Sequence, residues 1–212
     1  MAAVHSPVAV PDSRLARDAT ELIRSVEPDL LYHHSLRVYA FGALQGDRLG
    51  LRYDPELLFV GAMFHDIGLV DGHRSAHDRF EVDGANAARE FLIGQGVTDD
   101  ALRIVWDAIA LHTTPGIPQH KEPEVALVTA GVELDVLGFG YDDISAEDRE
   151  AVLAAYPRID FKESIIQAFA DGMAHRPETV FGTMNADVLV EKLPGYEPPN
   201  FCALIRASEH TN

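Results

Sequence analysis

The chain has 212 residues, of which 47 % are hydrophobic, and its 17 basic against 34 acidic residues give a net charge of −17. This length suits one compact domain, and the hydrophobic fraction excludes a disordered chain. The single cysteine, Cys202, excludes a disulfide framework and a cysteine-rich zinc site. The negative charge, the scattered basic residues and the absence of a long apolar run argue against nucleic acid and membranes as partners. We therefore expect a cytoplasmic protein.

The N-terminal part predicts two helices after a loose segment. Residues 1–12 are expected to form a flexible arm, and residues 13–212 a single domain. Ser13 is a suitable cap for a helix that Pro28 then stops. The stretch 29–50 has the apolar spacing of a long amphipathic helix.

The rest of the chain continues with helical patterns and polar loops. A helix begins at Asp54-Pro55 and its end is marked by Gly68. Further helices are predicted over 80–94, 99–112, 124–138, 145–155, 160–173 and 185–193. Since alternating strand patterns are absent from the sequence, we expect an all-α domain of about eight helices with a C-terminal helical extension. The apolar piece 201–205 could close the core or the interface of a homo-oligomer.

Several polar residues lie in apolar stretches where they need partners. His65 and Asp66 follow the apolar run GAMF, and Asp135 lies within ALVTAGVELDVLG. They could be core residues in local hydrogen-bond networks. Together with a histidine of the pair His33-His34 they could instead share a divalent cation. Imidazoles and carboxylates suit zinc, iron or manganese better than calcium.

The order of these residues resembles the HD-domain superfamily of metal-dependent hydrolases. The blocks HSLRV and FHDIG and the later aspartate give the pattern H…HD…D, with 31 residues between the histidines and 69 between the aspartates. The resemblance implies an HD helical bundle in which His34, His65, Asp66 and Asp135 bind the metal. Many members carry the last ligand in an Ala-Asp pair, which this chain lacks at that place. Glu133 is therefore the alternative to Asp135 as the last ligand.

Two departures from the superfamily pattern narrow the expectation. Members with two metals carry a histidine four residues before a Gly-Ala pair, and this chain has Phe80 there. We therefore expect one divalent ion. Many phosphohydrolase members also have Lys or Glu three residues after the HD aspartate, where this chain has Leu69. Binding of a triphosphate is therefore disfavoured.

A longer series of blocks is similar to the cyanamide hydratase-like branch of HD proteins. These blocks are HHSLRVYAFG, FHDIGL, RFEVDGANAAREFL, ALHTTPGIP and GMAHRPETVFGTMNADV, and they extend over residues 30–190. The resemblance implies a metal-dependent hydratase that adds water to a small neutral nitrile, with cyanamide to urea as the lead reaction. Zn²⁺ is the expected ion, and Fe²⁺ and Mn²⁺ fit the same ligands.

The expected chemistry assigns roles to further residues. Asp66 would bind the ion and also hold a proton of the attacking water. His112 is the candidate acid or substrate-orienting group, although it could simply cap the end of its helix. Glu81, Asp83 and Thr113 are expected to contact the substrate or to support the metal histidines. Glu81 and Asp83 could equally be ordinary first-turn acids.

Two other functions remain open from the sequence. The same metal ligands could serve a phosphohydrolase of a small nucleotide or phosphoester, with Arg37, Arg74 or Arg79 binding one phosphate. The chain could also be a non-catalytic HD module that binds a ligand or partner. Turnover of nitriles and of phosphoesters separates these alternatives.

Overall fold

The computed structural model describes residues 6–209, which form ten α-helices and no strand. This confirms the all-α prediction. The helices are α1 (Arg14–Val26), α2 (Asp29–Leu49), α3 (Pro55–Phe64), α4 (Phe80–Gly94), α5 (Asp99–Ala110), α6 (Pro123–Val132), α7 (Ala146–Ala155), α8 (Phe161–Met173), α9 (Asn185–Lys192) and α10 (Phe201–Ala207). The described residues have more helices than the eight expected: the sequence patterns correspond to nine of them, and the apolar C-terminal piece forms the tenth.

Local capping explains where the early helices begin and end. The Ser13 hydroxyl accepts a hydrogen bond from the Ala16 amide at 3.1 Å and so starts α1. Asp54 caps α3 in the same way, and Pro55 occupies the first helical position. At the other end of α2, Gly50 has a φ of 64°, a left-handed conformation that terminates the helix.

Close packing of α2 against α6 brings distant parts of the chain together. A Cβ atom at Gly131 would collide with the backbone carbonyl of Val38, so only glycine permits this approach. Gly42 is in similarly close contact with the Leu127 carbonyl. As a result the N-terminal half of α2 lies beside the end of α6, which places His34 next to residues that follow α6.

Two hydrophobic clusters surround the region where these helices meet. The larger one is built from α1 to α6, and the smaller one is built mainly from α8, α9 and neighbouring residues. Phe80 and Phe161 belong to the smaller cluster, and their rings pack on His112 and His34 respectively. The buried histidines therefore lie at the boundary between the two clusters.

Three helix ends differ from the sequence prediction. The helix predicted over 124–138 is α-helical only to Val132 and continues as a π-helical turn, Glu133–Leu137. The helix predicted over 99–112 ends at Ala110. α3 ends at Phe64, ahead of the HD dipeptide, and a 3₁₀ turn follows it at Ile67–Leu69. In all three cases a predicted site residue lies just beyond the regular helix.

The first and last described segments differ in how they contact the bundle. The expected arm is described only from residue 6, and there Val8 packs on the core while Tyr39 donates a hydrogen bond to the Ala9 carbonyl at 3.1 Å. At the other end, α10 exposes its apolar side chains, with Phe201 67 % exposed, so it adds nothing to the core. Within residues 6–209, no helix is both long and apolar enough to cross a membrane.

Candidate metal centre

Three histidines and one aspartate form a buried group at the meeting point of α2, α3 and α5. His34 comes from α2, the pair His65-Asp66 follows α3, and His112 follows α5. Each is at most 2 % exposed. The His65 ring lies 4.9 Å, centroid to centroid, from both the His34 and the His112 rings. His33, the neighbour of His34, is partly exposed and outside this group.

Hydrogen bonds on one side of each ring determine which nitrogen faces the group. His65 Nδ1 donates to the Ala62 carbonyl, and His112 Nδ1 donates to the Ile109 carbonyl, both at 2.7 Å. These carbonyls belong to the last turns of α3 and α5, where helix carbonyls lack an intrahelical partner. His34 Nδ1 donates to Asp135 Oδ2 at 2.7 Å. In the neutral rings Nε2 is therefore an unprotonated acceptor.

The three Nε2 atoms and the Asp66 carboxylate face one another as acceptors, with no donated proton between them. Among the described residues, all three Nε2 atoms and both Asp66 oxygens are buried without a hydrogen-bond partner. Asp66 Oδ2 lies 3.3 Å from His65 Nε2 and 3.6 Å from His34 Nε2, and Oδ1 lies 3.7 Å from His112 Nε2. Buried acceptors facing acceptors are costly unless a cation satisfies them.

A divalent ion fits this arrangement. Bonds of about 2.0–2.2 Å from one ion to nitrogen and oxygen ligands place those ligands roughly 3 to 3.6 Å apart. The donor atoms of His34, His65 and Asp66 are close enough to one another to hold a metal ion. His112 faces the other Asp66 oxygen, at the edge of this three-residue group.

The members of the group strongly affect one another's pKa values. Burial raises the pKa of Asp66, but His65 and His34 outweigh it and the pKa is lowered, so the carboxylate is ionised. Burial lowers the pKa of His65, but the adjacent Asp66 carboxylate outweighs burial and raises it. Burial lowers the pKa of His112 to about 4, and the neighbouring His65 adds to this effect.

Asp135 lies behind His34, where its oxygens are already used. Besides the bond from His34, it accepts hydrogen bonds from Arg37 Nε at 2.8 Å and from Arg37 Nη2 at 2.9 Å. As a metal ligand, Asp135 would have to exchange one of these bonds for the ion. Its position is that of a carboxylate that orients a metal histidine. The alternative ligand, Glu133, is half-buried on the π-helical turn and lines a neighbouring cavity.

Glu81 supports the residue next to His112 and not the metal histidines themselves. Its Oε1 accepts hydrogen bonds from the Thr113 hydroxyl, from Arg79 Nη2 at 2.7 Å and from Asn185 Nδ2 at 2.9 Å. Burial raises the pKa of Glu81, but Arg79, His112 and Thr113 together outweigh burial and the pKa is lowered. The network joins α4 and α9 to the segment after α5, and so fixes the backbone that carries His112.

Asp83 is part of a different buried network. It accepts hydrogen bonds from Arg176 Nη1 and from the Ser75 amide, the latter at 2.8 Å. Arg176 also donates to the Gly68 carbonyl at 2.9 Å. Within residues 6–209, neither Asp83 nor Glu81 has a hydrogen bond to His34, His65 or His112. Asp83 therefore holds the loop after the HD dipeptide in place.

A cavity of about 540 Å³ adjoins His112. Its lining includes His112, Thr113 and Asn185, and the last two lie close together because both donate to Glu81. The walls are mostly apolar and come from the end of α6, from α8 and from α9: Val132, Val136, Leu137, Phe161, Ile165, Ile166, Phe169, Met184 and Val188. The charged lining residues are Glu133, Lys162 and Asp187. His112 thus lies between the metal-binding group and a space suited to a small molecule.

Sequence reasoning missed three buried polar residues of this region. Arg37 was considered only as a phosphate ligand, although a charged residue one turn after His34 on a buried helix face signals a buried ion pair. Arg176, fully buried, carried the same signal in a weaker form. Asn185 had none, because its partner Glu81 lies 104 residues away.

Comparison with known families identifies this arrangement. The model of the HD domain family matches residues 31–171, more than half of the chain. The chain belongs to the HD domain family. The matched region contains every residue of the buried His/Asp group, and this HD domain is an enzyme of the metal-dependent hydrolase type. The HD match ends within α8, so α9 and its cavity-lining residues lie outside it. A comparison with curated proteins gives no significant match.

Proposed function

We propose that this HD domain is a metal-dependent hydratase that adds water to the nitrile carbon of a small neutral compound. The observation that carries the proposal is the cavity beside His112, whose walls are apolar. Its charged lining consists of one lysine against two carboxylates, which favours a neutral substrate over an anion. Cyanamide, which would give urea, is the first compound to assay because of the sequence blocks described above.

The three arginines that a phosphohydrolase could use to bind phosphate have other partners in the structure. Arg37 is fully buried and paired with Asp135, and its remaining nitrogen donates to the Tyr156 and Pro157 carbonyls. Arg74 donates to the Asp171 carbonyl, and Arg79 donates to Glu81. In the part of the chain that the structure describes, none of the three arginines lines the cavity.

The metal would be held by His34, His65 and Asp66, whose free donor atoms face one another. Zn²⁺ is our proposal for the single ion, and Fe²⁺ and Mn²⁺ suit the same nitrogen and oxygen donors. When bound, such an ion makes water a stronger acid and polarises the nitrile. That Asp135 completes the ligand set remains a prediction, since its oxygens are hydrogen-bonded to His34 and Arg37.

We propose that Asp66 and His112 accept and transfer the protons of the attacking water. Asp66 Oδ1 and His112 Nε2 lie 3.7 Å apart, and both are free acceptors among the described residues. Because the His112 Nδ1 proton is held by the Ile109 carbonyl, only Nε2 is available to accept a proton. His112 also lines the cavity, so the proton it accepts from water can be passed to the nitrile nitrogen. It acts first as a base and then as an acid.

The test is turnover of nitriles and of phosphoesters by the metal-loaded protein. We expect urea from cyanamide, or a carboxamide from another nitrile, well above the background of His65→Ala. We expect no phosphate release from a panel of nucleoside monophosphates. Phosphate release without amide formation would support the phosphohydrolase, and no turnover of either class would support a non-catalytic module.

A further inference from the structure

The cavity beside His112 is much larger than cyanamide requires. Cyanamide has three heavy atoms and displaces on the order of two waters of about 30 Å³ each. The cavity measures about 540 Å³, whereas about 150 Å³ is enough to bind benzene. We propose that the substrate is a nitrile that carries an apolar body at least as large as an aromatic ring. This inference rests on the proposed function and specifies its substrate class.

The distribution of polar and apolar groups gives the bound molecule a direction. His112, Thr113 and Asn185 form a polar group in the lining, since Glu81 binds both Thr113 and Asn185, and His112 faces the metal-binding group. The apolar part of the lining comes largely from α8 and α9 and includes Ile166 and Val188. A neutral molecule with a polar nitrile and an apolar body would therefore place its nitrile at His112, because burying the apolar body against these walls is favourable.

Asn185 can recognise the amide that hydration produces. Its Nδ2 donates to Glu81, which sets the orientation of the side-chain amide. Among the described residues Oδ1 has no hydrogen bond, so it is available to accept one from an N–H group of the product. The Thr113 hydroxyl, in contrast, already donates to Glu81 and accepts from Arg79. Hydration converts R–C≡N and water into R–C(=O)NH₂, and Asn185 Oδ1 would bind the new NH₂ group.

Part of the cavity wall lies outside the region that matches the HD family. The HD match covers residues 31–171 and includes the metal-binding group. Met184, Asn185 and Val188 lie beyond the match and still line the cavity. The segment around α9 therefore contributes to the choice of substrate, together with the walls from α6 and α8, while the matched region contains the metal-binding group.

The inference is tested by binding, with turnover as a separate readout. We expect the metal-loaded full chain to bind phenylacetamide at least about tenfold more tightly than acetamide, measured by calorimetry. Val188→Phe should fill the cavity and weaken phenylacetamide binding about tenfold. Val190→Phe, at an exposed position on the same helix, should leave it unchanged. Ile166→Phe, from the facing helix α8, is the second closing variant if Val188→Phe fails to fold.

The outcomes distinguish this inference from the proposed function. A preference for phenylacetamide that the cavity-filling variants Val188→Phe and Ile166→Phe abolish supports the inference. Equal affinities for both amides, or a preference that the closing variants leave intact, would overturn it even if cyanamide is hydrated. Hydration of phenylacetonitrile with a higher kcat/KM than acetonitrile supports both proposals. If no nitrile is hydrated, the proposed function fails, and amide binding alone then decides whether the cavity accepts such molecules.

Discussion

His112 differs from His34 and His65 in where it lies, and the difference leads to a prediction. His112 faces Asp66 Oδ1 and lines the cavity, whereas His34 and His65 belong to the group that is able to hold an ion. We expect His112→Ala to retain its metal and to lose about 10²–10⁴-fold in kcat, the usual contribution of a general acid–base group. Metal content by mass spectrometry and kcat on the best nitrile substrate test this.

His65→Ala is the control for that experiment. It removes a member of the metal-binding group and should lower both metal content and activity. If His112→Ala lost as much metal as His65→Ala, His112 would be a ligand and not a proton acceptor.

The pairing of Asp135 with Arg37 leads to a second prediction at this scale. Asp135→Asn leaves the fully buried Arg37 without its anion, which should lower the free energy of unfolding by about 3–5 kcal/mol. It should also weaken metal binding about 10–100-fold, because His34 loses its orienting carboxylate. Urea denaturation and competitive metal titration measure the two effects.

A surface pair provides the comparison for Asp135. Asp143 forms an exposed ion pair with Arg48 at 3.3 Å, and Asp143→Asn should cost at most about 1 kcal/mol. Equal stability losses in the two variants would contradict the structural role assigned to the buried pair.

Individual site residues were predictable to different degrees. His65 and Asp66 stood out because polar residues in an apolar helix need partners, and the HSLRV block selected His34 over His33. The partners of Asp135 were not predictable. Whether its carboxylate meets a metal or Arg37 depends on side-chain directions at the π-helical turn, which apolar spacing does not specify.

At the scale of elements, the contact between α2 and α6 positions His34 beside Asp135. Gly131→Ala would push a methyl group into the Val38 carbonyl, and we expect it to lower the free energy of unfolding by about 1–3 kcal/mol or more. Gly94→Ala, at the open end of α4, meets nothing within 4 Å and should be neutral or stabilising by up to about 1 kcal/mol. Chemical denaturation of both variants tests this, and a neutral Gly131→Ala would contradict the packing.

Helix positions were predictable from apolar spacing and caps, but helix ends near the site were not. α3 ends at Phe64 and α5 at Ala110, and a carbonyl in the last turn of each helix accepts a hydrogen bond from a histidine Nδ1. Whether such a carbonyl accepts a hydrogen bond from a backbone amide of the helix or from a histidine side chain depends on tertiary contacts. Sequence patterns therefore extended both helices through the functional residues.

For the whole molecule, buried Glu27 predicts a pH dependence of stability. Burial raises its pKa well above 4.5, and the charge of Asp66 raises it further; both Glu27 oxygens lack partners among the described residues. The pKa of Glu27 is higher in the folded state than in the unfolded state. The free energy of unfolding is therefore least reduced by this group at low pH, where it is protonated in both states. Stability is lost as the pH rises from 4.5 through the folded-state pKa of Glu27.

Removing the charge of Glu27 should therefore flatten this dependence. We expect Glu27→Gln to be more stable than wild type at pH 8, with a smaller difference at pH 5, as measured by urea denaturation. Glu90→Gln, at an exposed position on α4, should follow wild type at both pH values. A constant difference between Glu27→Gln and wild type across this range would contradict the assignment.

The cavity is a property of the whole molecule that the sequence did not predict. Its walls combine residues from the end of α6, from α8 and from α9, which lie up to 56 positions apart. Apolar residues at helical spacing predict a buried face, but whether two such faces close on each other or leave a space depends on how the helices dock. The resemblance of the sequence to the cyanamide hydratase-like branch predicted a small neutral substrate, but the sequence could not indicate the size of the cavity.

The central claim is that this HD domain adds water to a nitrile, and isotope transfer tests it most directly. The metal-loaded protein would be incubated with cyanamide and phenylacetonitrile in ¹⁸O-labelled water, and the products analysed by mass spectrometry. We predict one ¹⁸O atom per amide product from at least one of the two nitriles with wild type, and only background amounts with His65→Ala or after chelation. Absence of labelled amide from the wild-type protein with both compounds would contradict the claim.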